Sequence, residues 1–414
     1  METELTLPVK KLAGVSDRLN GINEYYFSQK LRQIDEMNQA GRNVINLGIG
    51  SPDLPPHPDV ITTLAMESAR PGKHAYQSYK GSPVLREAVA EWYQKWYNVF
   101  LNPATEILPL MGSKEGIMHI CMTYINKGDG VLIPNPGYPT YRSAALISGA
   151  DVHAYTLNEE TNWFPDFEEL EKMDLTTVKL MFVNYPQMPS GKLPSAEMFK
   201  ELISFAKRNQ ILICHDNPYS FIMPDFLGKN KPMSLLSFEG AKDVVIELNS
   251  LSKSHNMAGW RIGFLSGAAE RINEVLRFKS NMDSGMFLPA QLAAAKALQL
   301  DEKWYKHLNS VYDLRRKKVF ELLDLLECTF SKNQAGLFVW ASVPAEFENG
   351  FALSDEVLEN ANVFITPGGI FGDAGNNYIR VSLCAKEQVF REAILRITQS
   401  RIKTGAAEEI INNQ

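Results

Sequence analysis

The segment Val244–Gly267 reads VVIELNSLSKSHNMAGWRIGFLSG and contains two apolar runs, Val244–Leu248 and Ile262–Leu265. Such short, continuous apolar runs are typical of strands that are buried on both faces of a sheet. The polar stretch between them carries Lys253 and Arg261. A lysine directly after a buried strand is partly desolvated, which disfavours the ammonium and frees the amine as a nucleophile. A lone lysine is usually a solvated surface charge, so this interpretation depends on the motifs around it.

Similar apolar runs recur before this segment. They are Ile107–Met111, Gly130–Ile133, Val178–Asn184 and Ile211–His215. Helix-like segments such as Ala196–Asn209 lie between several of them. Buried runs that alternate with helices indicate an α/β layer fold with a mostly parallel sheet flanked by helices.

The pattern changes after about residue 290, where a long helical stretch without proline covers Gln291–Cys328. Three strand-like pieces and a last helix follow: Leu337–Val343, Asn362–Thr366, Tyr378–Leu383 and Lys386–Arg401. We therefore predict a smaller α+β domain at 291–414, after a large domain at 51–290. Residues 1–50 are predicted to form an N-terminal arm that packs with the small domain, because chain ends often meet at the surface.

Composition excludes several classes of protein. The 414 residues include 42 Lys+Arg and 48 Asp+Glu, a net charge of −6, with no basic excess of the kind that nucleic-acid binders show. No stretch approaches the roughly 18 apolar residues of a membrane helix, and the N-terminus lacks the apolar core of a signal peptide. The cysteines are scattered, which predicts reduced thiols in a cytoplasmic protein and no metal framework: Cys121, Cys214, Cys328 and Cys384.

Polar residues follow each apolar run, and in open α/β sheets ligands bind beyond the carboxyl ends of the strands. Ser113 and Lys114 open a probable helix after the first run, where N–H groups favour an anion. Tyr138 stands in a stiff proline-rich loop after the second, and Asp216 and Tyr219 follow the fourth. Each residue alone has a plainer explanation, such as a turn, a packed ring or a helix cap.

Together these motifs resemble the fold-type I pyridoxal-phosphate (PLP) enzymes, specifically the class I/II aminotransferases, from about residue 47 to 401. SLSK at 250–253 and GWRIG at 259–263 are similar to the family's signature around its Schiff-base lysine. DNPY at 216–219 resembles the pair that contacts the pyridine nitrogen and the phenolic oxygen. LGIGSPD at 47–53 resembles the N-terminal substrate loop, and YIRVS at 378–382 resembles the strand with the α-carboxylate arginine.

The resemblance implies PLP as the cofactor and a role for each site residue. Lys253 would form the Schiff base and move the α-proton, Asp216 would keep the pyridine nitrogen protonated, and Tyr219 would donate to the phenolic oxygen. Tyr138 would stack on the ring. The phosphate would be held by Ser113, Lys114, Ser250 and Arg261.

The resemblance also implies substrate contacts and a partner. Gly50 and Arg380 would bind the substrate, with the arginine fork matching the α-carboxylate. Tyr76 resembles a tyrosine that reaches the neighbouring subunit's phosphate, so a homodimer with shared active sites is expected.

One position departs from the family pattern. The family usually has Asn-Pro-Thr/Ser-Gly where this chain has Met188 followed by Pro-Ser-Gly. The usual asparagine donates to the phenolic oxygen of the cofactor, and a thioether cannot. Asn184 and Gln187 are the nearby residues that offer a replacement donor.

The expected function is transfer of an amino group between an L-amino acid and a 2-oxo acid. A PLP-dependent C–S β-lyase or related eliminase is the alternative on the same scaffold. An effector domain of a transcription regulator is a third reading, although the stretch before Leu47 is not notably basic. The donor stays open among diaminopimelate, alanine, aspartate and others. A dicarboxylic donor would need a second cation, for which Lys80, Arg277 and Lys279 are candidates that are more often solvated surface charges.

Overall fold

The computed structural model describes residues 14–22, 24 and 26–400. The predicted arm and small domain extend beyond this, and residues 1–13 and 401–414 lie outside the described residues. The strands are β1 Ile45–Asn46, β2 Ile107–Leu110, β3 Gly130–Asn135, β4 Asp151–Thr156, β5 Val178–Asn184, β6 Leu212–Asp216, β7 Val245–Ser250, β8 Gly263–Gly267, β9 Phe338–Ser342, β10 Val363–Phe364, β11 Thr366–Pro367 and β12 Tyr378–Ser382.

Helices flank these strands along the chain. They are α1 Tyr26–Gln39, α2 Pro58–Ser68, α3 Pro83–Tyr97, α4 Ser113–Tyr124, α5 Pro139–Ser148, α6 Phe167–Glu171, α7 Ala196–Asn209, α8 Ala241–Val244, α9 Leu251–Ser254, α10 Ala269–Lys279, α11 Leu288–Leu298, α12 Glu302–Leu325, α13 Gly350–Ala361 and α14 Glu387–Gln399. Among the described helices, none is both long and apolar enough to cross a bilayer.

The main sheet has seven strands in the order β2-β8-β7-β6-β5-β3-β4. Neighbouring strands from β4 across to β7 run parallel, and β8 is antiparallel to both β7 and β2. The predicted fold class, a mostly parallel sheet with flanking helices, is confirmed. Strand β4 was not predicted from the sequence, because this edge strand leaves residues exposed and therefore contains no continuous apolar run.

A second, antiparallel sheet has the order β11-β12-β9. Beside it the N-terminal strand β1 pairs with β10 in parallel, with Ile45 opposite Val363. The described part of the N-terminal segment therefore lies against the C-terminal elements. A cluster of Ile34, Leu358 and Phe364 packs helix α1 onto the same region.

The long helical stretch predicted over Gln291–Cys328 consists of two helices. The chain forms α11 and α12, separated by a break at residues 299–301. Asp301 caps α12, because its side chain accepts a hydrogen bond from the Lys303 N–H. An aspartate at such a position satisfies a backbone donor that a continuous helix would not leave free. Apolar periodicity continues through the break, so the pattern alone does not reveal it.

Candidate active site

A cavity of about 500 Å³ opens at the carboxyl ends of the parallel strands, next to the small antiparallel sheet. Its size falls within the range of small-molecule sites. All of the predicted site residues except Tyr76 line it: Gly50, Ser113, Lys114, Tyr138, Asp216, Tyr219, Ser250, Lys253, Arg261 and Arg380. Tyr76 lies on the surface with 90% of its area exposed.

One end of the cavity is built to attract an anion. Helix α4 begins at Ser113 after Gly112, which has φ 90° and supplies no side-chain cap, so the first-turn N–H groups have no cap acceptor. A Cβ on Gly112 would lie 2.2 Å from Arg261 Nη2, and a Cβ on Gly263 would lie 2.8 Å from the Ser113 nitrogen. Glycine at both positions lets the guanidinium approach the helix terminus. Backbone donors, the helix dipole and a cation together favour a phosphate.

Lys253 projects its amine into the middle of the cavity. It stands in the short helix α9, whose first turn is capped by the Ser250 hydroxyl. Lys253 Nζ donates to the Gly50 carbonyl at 2.6 Å. Burial lowers the pKa of Lys253, and the positive charges of Arg380 and Arg261 lower it further, while Cys384 acts in the opposite direction. A lysine in this setting reaches the neutral, nucleophilic form more readily than a solvated one.

Asp216 ends strand β6 with only 5% of its area exposed. Tyr141 Oη donates to its Oδ2 at 2.8 Å, whereas Oδ1 has no hydrogen-bond partner among the described residues. Burial raises the pKa of Asp216 to about 6, against the hydrogen bond from Tyr141 and the charge of His215, which both lower it. The cavity therefore contains a carboxylate oxygen that is ready to accept a proton or an N–H donor.

A buried pair supports the carboxylate from behind the sheet. His215 and Glu247 are both fully buried, and His215 Nδ1 lies 2.7 Å from Glu247 Oε2. The other ring nitrogen of His215 is 3.0 Å from the Tyr185 carbonyl. Neither Tyr141 nor this pair was predicted. The only sequence signals are the spacing of Tyr141 one helical turn after Tyr138 and the position of His215 directly before Asp216.

Arg380 lies on strand β12 at the other end of the cavity and is 4% exposed. Its guanidinium carbon stands 3.7 Å from the ring centroid of Phe338 and 4.5 Å from that of Phe371. Nη2 donates to the Gly48 carbonyl at 2.9 Å. A Cβ on Gly50 would lie 2.1 Å from the Phe338 ring, so only glycine fits at this point. Cation–π contacts and this hydrogen bond orient the guanidinium in the cavity wall, and its planar fork matches a carboxylate ligand.

Two further tyrosines, Tyr219 and Tyr138, line the cavity. Burial raises the pKa of Tyr219 well above its ordinary value, although Arg380 lowers it, so this phenol stays protonated as a donor. Tyr138 precedes α5 and makes an edge contact with Tyr141, with ring centroids 5.5 Å apart.

The loop after β5 contains no obvious substitute for the asparagine that the family has at Met188. Asn184 donates through Nδ2 to the Asp216 carbonyl at 2.6 Å and accepts the Met188 N–H at 2.8 Å. Gln187 does not line the cavity, and its amide nitrogen donates to the carbonyls of Pro136 and Met188. The thioether sulfur of Met188 lies 3.4 Å from Arg380 Nη1. The departure thus places an apolar group beside the arginine.

Comparison with known proteins agrees with this geometry. The family "Aminotransferase class I and II" matches residues 42–397. The chain belongs to this family. An LL-diaminopimelate aminotransferase from Dehalococcoides mccartyi is 39% identical over 383 residues, which cover 92% of this chain and 98% of the relative. The transaminase BacF from Bacillus subtilis is 36% identical over 395 residues, covering 95% and 98%.

The solved apo structure of BacF gives a TM-score of 0.89 at 36% identity and covers 94% of this chain and 98% of BacF. The predicted fold-type I architecture and aminotransferase function are therefore confirmed. The similar proteins are named as an aminotransferase and a transaminase, which favours amino transfer over the alternative of an eliminase.

The raised pKa of Asp216 gives a pH-dependent stability in the protein without cofactor. A carboxyl group whose pKa is raised from 3.8 to about 6 on folding stabilises the protein below the unfolded value. That contribution is lost as the pH rises through about 6. We expect Asp216→Asn to become more stable relative to wild type between pH 4 and pH 8, by about 2–3 kcal/mol at 1.36 kcal/mol per pKa unit.

Urea unfolding of the apoproteins across this pH range measures the difference. The exposed Asp243→Asn serves as the control and should show no such pH dependence, since Asp243 is paired only with Lys207 at the surface. A stability difference between Asp216→Asn and wild type that is constant with pH would contradict the prediction.

Proposed function

We propose that this aminotransferase uses PLP bound at Lys253, and that it acts as a homodimer. The observation that carries the proposal is the composition of one cavity: a desolvated lysine amine, a buried carboxylate with an unpartnered oxygen, and an anion site at a helix terminus. These three features match the aldehyde, the ring nitrogen and the phosphate of PLP.

The fit to each part of the cofactor rests on a separate contact. Asp216 Oδ1 has no hydrogen-bond partner in the part of the chain that the structure describes, and it suits a protonated ring nitrogen. The glycine cradle at 112 and 263 leaves room for phosphate oxygens between Arg261 and the N-terminus of α4. Ser250 and Lys114 line the same cavity and add polar groups, and the flat ring of Tyr138 is available for stacking.

In the proposed mechanism PLP supplies an electron sink for the bond that is broken at the α-carbon. Lys253 would accept the α-proton on Nζ and deliver it to the cofactor carbon that is bonded to the amino nitrogen, which its lowered pKa favours. Asp216 would hold the protonated ring nitrogen as an anion, and Tyr219 would donate a hydrogen bond to the ring oxygen. Arg380 binds the α-carboxylate through its planar fork.

The dimer proposal rests on the surface around Tyr76. Next to this exposed tyrosine, His74 contacts Phe287, which is 46% exposed, and Met282 is 62% exposed. Tyr79 adds a further exposed ring. Exposed apolar groups that gather in one region mark an interaction surface. A cytoplasmic location is also proposed, and the four free cysteines agree with it.

Lys253→Ala should abolish turnover and remove the visible absorption band of the holoenzyme, because it removes the desolvated amine that bonds to the Gly50 carbonyl in the cavity. Borohydride reduction followed by peptide mass mapping gives a second readout and should locate the cofactor on the peptide that contains Lys253. Lys192→Ala is a matched control, since Lys192 bonds to Asn162 outside the cavity. Cofactor reduced onto a different lysine in the wild type would refute the assignment.

Mixing two inactive variants tests the shared site. Tyr76→Ala and Arg261→Ala dimers, unfolded and refolded together, form hybrids in which one site has an intact tyrosine and an intact arginine. Activity should recover to about a quarter of wild type for random pairing of a two-fold dimer. The double variant mixed with itself should recover nothing. An active species with the mass of a monomer by light scattering would contradict the dimer.

Arg380→Ala should lower kcat/KM for all amino donors, because it removes the partner of a desolvated carboxylate. The loss should correspond to about 2–5 kcal/mol of transition-state stabilisation. The cofactor band should persist. Arg391→Ala is the control, since Arg391 is an exposed residue of α14 whose ion pair with Glu387 is long at 3.7 Å. A loss confined to dicarboxylic donors would instead assign Arg380 to the substrate side chain.

A further inference from the structure

The cavity has five charged side chains, and the proposed function uses all of them. They are Lys114, Asp216, Lys253, Arg261 and Arg380. Lys114 and Arg261 serve the phosphate, and Asp216 serves the ring nitrogen. Lys253 supplies the reacting amine, and Arg380 binds the α-carboxylate. Among the described residues, no further charged group lines the cavity to neutralise a second ionised group on the substrate.

The cations that the sequence offered for such a role do not line the cavity. Lys279 is 1% exposed, and its ammonium lies 2.7 Å from Asp283 Oδ2 and donates to the Tyr79 carbonyl. Lys80 and Arg277 are likewise absent from the cavity wall. An ionised group that is buried without a partner is strongly disfavoured. A second carboxylate or ammonium on the donor therefore has no counter-charge in this wall.

In the proposed function Lys253 and Arg380 hold the reacting end and the α-carboxylate of the donor, and these two contacts restrict where its side chain can lie. Lys253 Nζ bonds to the Gly50 carbonyl, and Arg380 Nη2 bonds to the Gly48 carbonyl. Ile49 lies between these two contacts along the loop and lines the cavity. Ile49 therefore lies beside the space between the lysine and the arginine, where the α-carbon of the donor would be held.

Helix α1 completes this wall. Phe27 and Leu31 are one turn apart on the helix, so they share a face, and both line the cavity. The Phe27 ring centroid is 5.6 Å from the guanidinium carbon of Arg380. Ile34, further along the same helix, is buried against Leu358 and Phe364 and anchors α1 to the C-terminal elements. On the arginine side, Met188 and Phe338 extend the apolar surface.

We infer that the preferred amino donor has an uncharged apolar or aromatic side chain, which packs against Phe27, Leu31 and Ile49. The inference rests on the proposed function, because it takes the roles of Lys253 and Arg380 from it. It also separates this chain from relatives named LL-diaminopimelate aminotransferase, since diaminopimelate carries a second ammonium and a second carboxylate. The region around Tyr76, which the proposed dimer would bring to the neighbour, also exposes the apolar side chains of Tyr79, Met282 and Phe287.

The half-reaction of the PLP holoenzyme with single amino acids tests the inference without the choice of an acceptor. Each donor is mixed with the enzyme, and the change in the cofactor spectrum gives a rate and an apparent affinity. The ratio of the rate to the apparent dissociation constant should be roughly tenfold or more higher for L-phenylalanine and L-leucine than for LL-diaminopimelate and L-aspartate. Calorimetry adds a readout without turnover, in which 3-phenylpropionate should bind at least about tenfold more tightly than glutarate.

Variants of Leu31 identify the wall that is responsible. Leu31→Asn should lower the half-reaction with L-phenylalanine by at least about tenfold more than that with L-alanine, because a methyl group is too short to reach helix α1. Leu31→Lys should do the same and also raise the half-reaction with L-aspartate. Leu314→Lys, at an exposed position of α12, is the matched control and should change neither.

The outcomes distinguish the inference from the function on which it rests. A preference for LL-diaminopimelate or L-aspartate over L-phenylalanine, or equal effects of Leu31→Asn on alanine and phenylalanine, would overturn the apolar wall while the aminotransferase assignment stands. A holoenzyme that keeps its cofactor but reacts with no amino acid would instead overturn the proposed mechanism.

Discussion

The buried carboxylate of Asp216 is the constraint around which the cavity is organised. A charge with almost no access to water is costly unless nearby groups stabilise it. Tyr141 supplies a hydrogen bond from helix α5, and His215 supplies positive potential from behind the sheet. Asn184 holds the backbone at the same point through a 2.6 Å bond to the Asp216 carbonyl. Among the described residues these groups leave Asp216 Oδ1 without a hydrogen-bond partner, so this oxygen can accept a donor that binds in the cavity.

The sheet register determines which groups can meet this carboxylate. Strand β6 pairs with β5 so that Asp216 lies opposite Asn184, and with β7 so that it lies opposite Leu248. The chain leaves β7 immediately afterwards and presents Lys253 from the short helix α9. Parallel strands therefore place the acid and the amine at one edge without a long loop, which restricts their relative motion.

The C-terminal elements supply the opposite side of the cavity. Cation–π contacts with Phe338 and Phe371 hold the Arg380 guanidinium on this side. The same elements carry helix α1 across the cavity, because Ile34 is buried against Leu358 and Phe364. In the proposed function, the groups that hold the reacting atoms and the wall that contacts the donor's side chain thus come from different parts of the chain.

The sequence by itself determined six of the seven strands of the large sheet, the residues that follow them and the family to which the chain belongs. These features are local: a buried strand needs a short apolar run, and the residues at its end follow in the chain. It did not reveal the edge strand β4, the break before Asp301 or the support of Asp216 by Tyr141 and the His215–Glu247 pair. Edge strands lack the apolar run, and one capping residue interrupts a helix without changing its periodicity. Only the tertiary structure decided that Phe27 of the N-terminal helix, Ile49 and Phe338 share one wall, because packing joins residues that are far apart in the chain and that no local pattern connects.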